Sequence, residues 1–267
     1  MIKLIASDMD GTLLDDNKQL PADFFETIDR LCEQGVKFTI ASGRTYAALS
    51  HLFPEEYLTK LDFICDNGAY IVHEGKTVDI TPLDRNTFEE FVSTAEEIGG
   101  FRLLVCAVGG TYHLPCDPEF DREVAKFYKD HIKCDDLLSI DDTIYKLAVC
   151  DIQGAQERGK PALDAVFGDR LNIQVSGPIW MDVMSAGVSK GTALKKLSDI
   201  LGIEKNEVMA FGDYYNDTDM LETAGVSFAM ANGNDYIKSI ADHIADTNNN
   251  GGVTKAIKEY VLDKVTI

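Results

Sequence analysis

Positive charge is scarce in this chain. Against 45 aspartates and glutamates stand only 25 lysines and arginines, a formal net charge of −20 over 267 residues. That balance argues against nucleic acid and anionic membrane as broad partners, because neither polyanion is drawn to such a surface. No basic N-terminal stretch leads into a long apolar run, and the first apolar run breaks at Asp8, so no secretory signal is expected. Nor does any stretch approach the ~20 apolar residues that a membrane span needs. The cysteines (Cys32, Cys65, Cys106, Cys116, Cys134 and Cys150) include no C-x-x-C pair. Reduced structural thiols in a cytoplasm fit that scatter, and a secreted disulfide framework is the other reading. His113 has no partner at metal-ligand spacing. Internal repeats, low-complexity tracts and long linkers are also missing.

What the chain does have is the composition of a globular protein, 45% hydrophobic and 26% charged, with length for one large or two modest domains. Leu4-Ile5-Ala6 reads as a buried strand of a parallel sheet, and Pro21 to Gly35 as a helix. Val36 to Ala41 reads as a second strand, Thr45 to Leu52 as a helix, and Leu61 to Cys65 as a third strand with Tyr70-Ile71-Val72 as an antiparallel arm. From about Pro82 the texture changes. Helices at 86–98, 118–131 and 161–167 mix with strands at 103–108, 111–114, 145–152, 173–175 and 180–184, which suggests an inserted α+β domain. The β-α-β alternation resumes with a helix after Gly187 that ends at Gly202. A strand follows at Val208 to Phe211, then a helix at 219–223, a strand at 226–230, a helix at 236–241, a small strand at Ile244 and a helix from Val253 to Leu262. The expected fold is α/β, a Rossmann-like doubly wound and mainly parallel sheet over 1–81 and 186–267, with an inserted α+β cap at 82–185.

Several of these elements end on polar groups. The first strand stops on Asp8 and Asp10, one residue apart, with Gly11 giving the turn beyond them. Side chains at i and i+2 of extended backbone share a side, so both carboxylates can face one ligand, and a hard cation such as Mg²⁺ would relieve their repulsion. The second strand stops on Ser42-Gly43-Arg44. There Ser42 either caps the following helix or joins its N–H groups in holding an anion. Lys190 lies at a helix start, the electrostatically wrong end for a cation, so it is either solvated or faces an anion. Val208 to Phe211 ends in Gly212-Asp213-Tyr214-Tyr215-Asn216-Asp217, a further acidic cluster at a strand end.

Taken together, Asp-x-Asp-Gly-Thr, Ser-Gly-Arg, Ser-Lys-Gly and Gly-Asp-x-x-Asn-Asp resemble the haloacid dehalogenase (HAD) superfamily, and within it the Cof-type phosphatases, whose cap is inserted between the second and third motifs. The resemblance spans essentially the whole chain, to the Asn-rich turn and Gly251-Gly252-Val253. It implies Mg²⁺ held by Asp8, the backbone carbonyl of Asp10 and Asp213. Asp8 would be the nucleophile that carries the phosphoryl group. Asp10 would protonate the leaving alkoxide and then deprotonate water, a task that asks for a carboxylate with a raised pKa. Ser42 and the amides near Gly43 would bond a phosphoryl oxygen, Lys190 would neutralise charge, Asn216 would support the phosphate, and Asp217 would orient Lys190 or a metal water. Arg44 and Asn67 are either substrate or cap contacts, or a salt bridge and an Asn-Gly turn.

The reaction expected is hydrolysis of a small organic phosphate, such as a sugar phosphate or phosphorylated cofactor, in the cytoplasm. Phosphotransfer or mutase chemistry, and a receiver-like phospho-switch, are the alternatives. The phosphorylated metabolite is the partner; substrate and oligomeric state are not legible. In the cap, Arg102, Tyr112, His113, Tyr145 and Trp180 are substrate contacts or core.

Overall fold

Along the first strand (β1, Leu4–Asp8), Ile5 joins one buried cluster while Leu4 and Ala6 join another on the opposite face. Two apolar faces on one strand are what a parallel sheet covered by helices on both sides requires. The computed structural model describes residues 1–128 and 131–263. By its contacts the chain divides into two compact units, residues 1–79 with 189–267, and residues 80–188.

The first unit begins with β1, α1 (Phe24–Glu33), β2 (Lys37–Ala41), α2 (Tyr46–Ser50), β3 (Leu61–Cys65), β4 (Tyr70–His73) and β5 (Lys76–Ile80). The second unit contributes α3 (Arg85–Ile98), β6 (Phe101–Ala107), β7 (Gly110–His113), α4 (Pro118–Phe127) and β8 (His131–Lys133). It continues with β9 (Ile144–Asp151), α5 (Lys160–Phe167), β10 (Leu171–Val175) and β11 (Trp180–Ser185). The first unit then resumes with α6 (Lys190–Leu201), β12 (Val208–Gly212), α7 (Thr218–Thr223), β13 (Val226–Met230), α8 (Asp235–Ile240), β14 (His243–Ala245) and α9 (Gly252–Ile257).

The sheet of the first unit runs β14-β13-β12-β1-β2-β3-β4-β5. Its pairs from β14 through β3 are parallel, and β4 turns back antiparallel on β3. Phe24, Ile28 and Leu31 of α1 and Val253 and Ile257 of α9 fill one face with Ile5, Phe38, Phe63 and Phe211. Leu194 and Leu197 of α6, Met220 of α7 and Ile237 of α8 fill the other with Leu4, Ala6, Ile64 and Ala210. This is the doubly wound, Rossmann-like arrangement, and ligands in such sheets sit beyond the carboxyl ends of the strands.

The second unit is a six-stranded sheet in the order β10-β11-β9-β6-β7-β8, antiparallel except that β8 lies parallel to β7. Helices α3 and α5 cover one face through Phe88, Phe91, Leu163 and Phe167, and α4 covers part of the other through Phe120 and Val124.

Some elements depart from the sequence reading. The helix read from Pro21 starts at Phe24, because the Phe24 N–H first closes a turn onto the Pro21 carbonyl at 2.9 Å. The helix read over 118–131 ends at Phe127; positions 129 and 130 lie outside the described residues, and His131 opens β8. β5 was not read at all.

Candidate active site

Lys190 organises the site, because a buried ammonium is costly unless carboxylates surround it. Ser189 caps α6 in a reciprocal capping box with Thr192, which sets Lys190 as the first helical residue with its side chain turned inward. The side chain is 1% exposed, and its Nζ donates to Asp8 Oδ1 at 2.5 Å and to Asp217 Oδ1 at 2.7 Å. Burial alone would pull the ammonium down, but the carboxylates of Asp217 and Asp8 outweigh it and hold Lys190 above its ordinary pKa.

Asp217 is fully committed. Its second oxygen accepts the backbone N–H groups of Asp213 and Tyr214 at 3.0 and 3.1 Å. It therefore folds the loop after β12 back on itself and fixes Lys190 at the same time. Asp213, the first residue beyond β12, accepts from the Thr12 hydroxyl at 3.0 Å. Gly11 lets this happen: its φ is +84°, and a Cβ there would meet Asp213 Oδ2 at 2.5 Å.

Negative charge exceeds positive at this point. Asp8, Asp213 and Asp217 offer carboxylate oxygens within 4.8 Å of one another, with Lys190 as the lysine paired to Asp8 and Asp217 among the described residues. Burial, with the nearby Asp217 adding to it and Lys190 opposing it, pushes the Asp8 carboxyl up to about 8. Burial and Asp217 likewise raise Asp213. An all-oxygen donor set with surplus negative charge fits a hard divalent cation such as Mg²⁺. With Asp217 already taken up by Lys190 and two N–H groups, Asp8 and Asp213 are the carboxylates left to hold it.

Asp10 differs from expectation. The sequence reading asked for a raised pKa, and the structure lowers it. Although desolvation works the other way, Lys18 at 2.8 Å and the two-pronged Arg44, at 3.0 Å from Nε and 2.7 Å from Nη2, hold the carboxylate below its usual range. The cause lies in long-range placement: Arg44 follows β2, the neighbour of β1, and reaches across to the next strand end. Of the two roles open to Arg44, the salt bridge is the one present here.

Ser42 does not cap the following helix. Thr45 does, accepting from Ala48 N–H at 3.2 Å, and that helix is only Tyr46–Ser50. Ser42 is buried beyond β2, its hydroxyl accepting from the Arg44 N–H at 3.2 Å. Against it lies the turn Asp66-Asn67-Gly68, with Asp66 and Asn67 both at positive φ and the Asn67 N–H on the Ser42 carbonyl at 3.0 Å. A Cβ on Gly43 would touch the Asn67 amide at 3.1 Å. Asn67 thus occupies a turn, buried beside the Ser42-Gly43 loop, with its Oδ1 lacking a hydrogen-bond partner. Asn216 is exposed in the 3₁₀ turn Tyr215–Asp217.

In the second unit, His113, Tyr145 and Trp180 are buried, and Arg102 pairs with Asp117 at 3.0 Å. Sequence reasoning gave no role to Thr12, Lys18 or Asn232, whose amide reaches the Gly11 carbonyl at 2.7 Å. Thr12 stood inside a quoted motif; nothing in the sequence marked the other two.

The profile of haloacid dehalogenase-like hydrolases matches residues 5–257. The Escherichia coli 5-amino-6-(5-phospho-D-ribitylamino)uracil phosphatase YbjI is 32% identical over 99% of this chain and 96% of its own length. The Bacillus subtilis phosphatase YitU, named for the same compound, is 29% identical over 96% of this chain and 97% of its own. Among solved structures, a haloacid dehalogenase-like hydrolase from Bacteroides thetaiotaomicron superposes with a TM-score of 0.85 at 25% identity, covering 97% of this chain and 99% of that one.

Proposed function

Since the chain belongs to the haloacid dehalogenase-like hydrolase family and is a phosphatase of its Cof type, we propose that it hydrolyses a small organic phosphate monoester with Mg²⁺, by way of an aspartyl-phosphate on Asp8. The observation that supports this most is the buried Lys190 bridging Asp8 and Asp217, with Asp213 beside them. Three distant segments of sequence meet there in one charged pocket.

Asp8 attacks phosphorus, forming a new O–P bond as the ester O–P bond breaks, and the leaving oxygen takes a proton from Asp10. Asp10 then removes a proton from water, which attacks phosphorus, breaks the acyl-phosphate bond and regenerates Asp8 with release of inorganic phosphate. Lys18 and Arg44 favour the ionised Asp10 that the second step uses; for the first step Asp10 must leave them and carry a proton. Ser42 and the N–H groups about Gly43 bond the phosphoryl oxygens, with Asn216 supporting them. Lys190 holds one oxygen of Asp8 so that the other is presented to phosphorus. Asp8, the Asp10 carbonyl and Asp213 would hold Mg²⁺, whose positive charge would offset the crowded carboxylates and the incoming phosphate.

The substrate class is a sugar phosphate or a phosphorylated cofactor. The compound named for the two relatives is the first to test. We place the enzyme in the cytoplasm, a reading supported by six cysteines that form no disulfide among the described residues. Among those residues no helix is long and apolar enough to cross a membrane. A panel of phosphate esters assayed for inorganic phosphate, with and without Mg²⁺, tests the proposal. Metal-dependent release that falls to background in Asp8→Asn supports it. Turnover that persists in Asp8→Asn, or transfer to an added sugar in place of water, contradicts it.

A further inference from the structure

Three residues after β13, Asn232 to Asn234, run across the end of β12 and reach the loop after β1, two strands away in the sheet. Asn232 Nδ2 donates to the Gly11 carbonyl at 2.7 Å, and its Oδ1 accepts from the backbone N–H of Asn248 at 2.9 Å. Two residues on, the Asn234 N–H donates to the Asp213 carbonyl at 3.1 Å. The same short segment therefore holds the loops carrying the two carboxylates left to a cation, one through Gly11 and one through Asp213.

These two anchors are mechanically connected. Gly11 stands at φ +84° against the Asp213 carboxylate, with no room for a Cβ, and Thr12 donates to Asp213 Oδ1. Any rotation of the peptide following Gly11 moves the Thr12 hydroxyl off Asp213 or drives Gly11 into it. The carbonyl of that peptide is the group Asn232 grips. The grip is backed in turn, because buried Asn248 donates from its side chain to the Leu14 carbonyl at 3.0 Å and to Asp16 at 3.1 Å, pinning the far end of the same loop.

We propose that Asn232 is a positioning residue of the cation and phosphate site: it sets the Gly11 peptide, and through it the placement of the Asp213 carboxylate against Asp8. Its amide acts through the Gly11 carbonyl and the Asn248 N–H that it bonds. The inference rests on the function proposed above, and it adds a residue whose contact spans 221 positions of sequence. Asn232 is exposed, so its hydrogen bonds carry little of the folding stability, while groups that orient metal ligands typically change metal affinity about 10–100-fold when removed.

The test compares the full-length protein with Asn232→Ala, Asn232→Asp and, as a control, Asn249→Ala. Asn249 donates to Asp16 at 2.9 Å, on the same loop but away from the Gly11 carbonyl that Asn232 holds. Mn²⁺ is titrated calorimetrically into each protein without substrate, and thermal midpoints are taken in EDTA. Asn232→Ala should bind Mn²⁺ roughly tenfold more weakly and lose kcat with little change in KM, while its midpoint stays with that of the control. Asn232→Asp keeps the acceptor for Asn248 but loses the donor to Gly11, so it should also bind more weakly despite its added charge. Wild-type affinity in both Asn232 variants overturns the inference while leaving the proposed function standing. Failure of the wild type itself to bind Mn²⁺ overturns the proposed function instead. A midpoint for Asn232→Ala far below the control overturns the positioning role in favour of a structural one.

Discussion

Among single residues, the site depends on how charge is shared among Asp8, Asp217 and Lys190. Lys190→Met leaves two carboxylates buried without their cation, and losing one partner of such a group costs about 3–5 kcal/mol. Urea unfolding in EDTA should show that loss; a variant within ~1 kcal/mol of wild type would mean that the pair contributes nothing net. Asp8 gives a pH signature. Its carboxyl is pushed up to about 8 in the folded, metal-free chain, against ~3.9 for an unfolded aspartate. The folded state therefore binds the proton more tightly, so this contribution to stability is complete below ~4 and is lost as pH rises through about 8. In EDTA, wild type should melt at falling temperature from pH 5 to pH 8, and Asp8→Asn should fall less steeply; parallel slopes contradict the assignment. The sequence marked Asp8 and Asp213 because each ends an apolar run, and Lys190 because it stands at a helix start, the wrong end for a cation. It could not mark the lowered pKa of Asp10, which depends on Arg44 and Lys18 arriving through space.

At the scale of elements, the parallel strands were legible because β1 and β12 are short runs of apolar residues buried on both faces, ending abruptly in carboxylates. β5 was not, since Lys76, Thr77 and Val78 lie exposed on the sheet edge and carry no alternating pattern. β8 is only three residues long, with Ile132 and Lys133 exposed, and merged with a preceding helical pattern. Turn Asp66-Asn67-Gly68 is sensitive to a single methyl group. Gly68 has φ +109°, and a Cβ there would run into the Ser189 carbonyl at the start of α6. Gly68→Ala should cost roughly 2–4 kcal/mol and weaken activity by shifting Lys190, the residue after Ser189. Gly35 is also at positive φ, +71°, with nothing within 4 Å; Gly35→Ala should cost only about 1 kcal/mol and leave activity alone. Thermal melts and initial rates on the two variants separate steric collision from backbone strain, and equal costs would contradict the distinction.

At the scale of the whole molecule, a chain of net charge −20 binds an anion by local arrangement, with overall attraction working against it. The α/β class and the identity of the polar residues at the strand ends were legible in sequence, because apolar runs and their interruptions are local features. Contacts that join those endings, such as Asn232 to Gly11, Thr12 to Asp213 and Arg44 to Asp10, are set by strand order and were invisible. Transfer of the phosphoryl group to Asp8 is the step on which the proposed hydrolysis depends. It is tested most directly by mixing the Mg²⁺-loaded protein with a hydrolysed ester, quenching in acid during turnover and weighing the N-terminal peptides. A peptide containing Asp8 should be heavier by one HPO₃, and that mass should be lost in Asp8→Asn; phosphate found on another residue, or undiminished turnover in Asp8→Asn, would rule Asp8 out as the carrier.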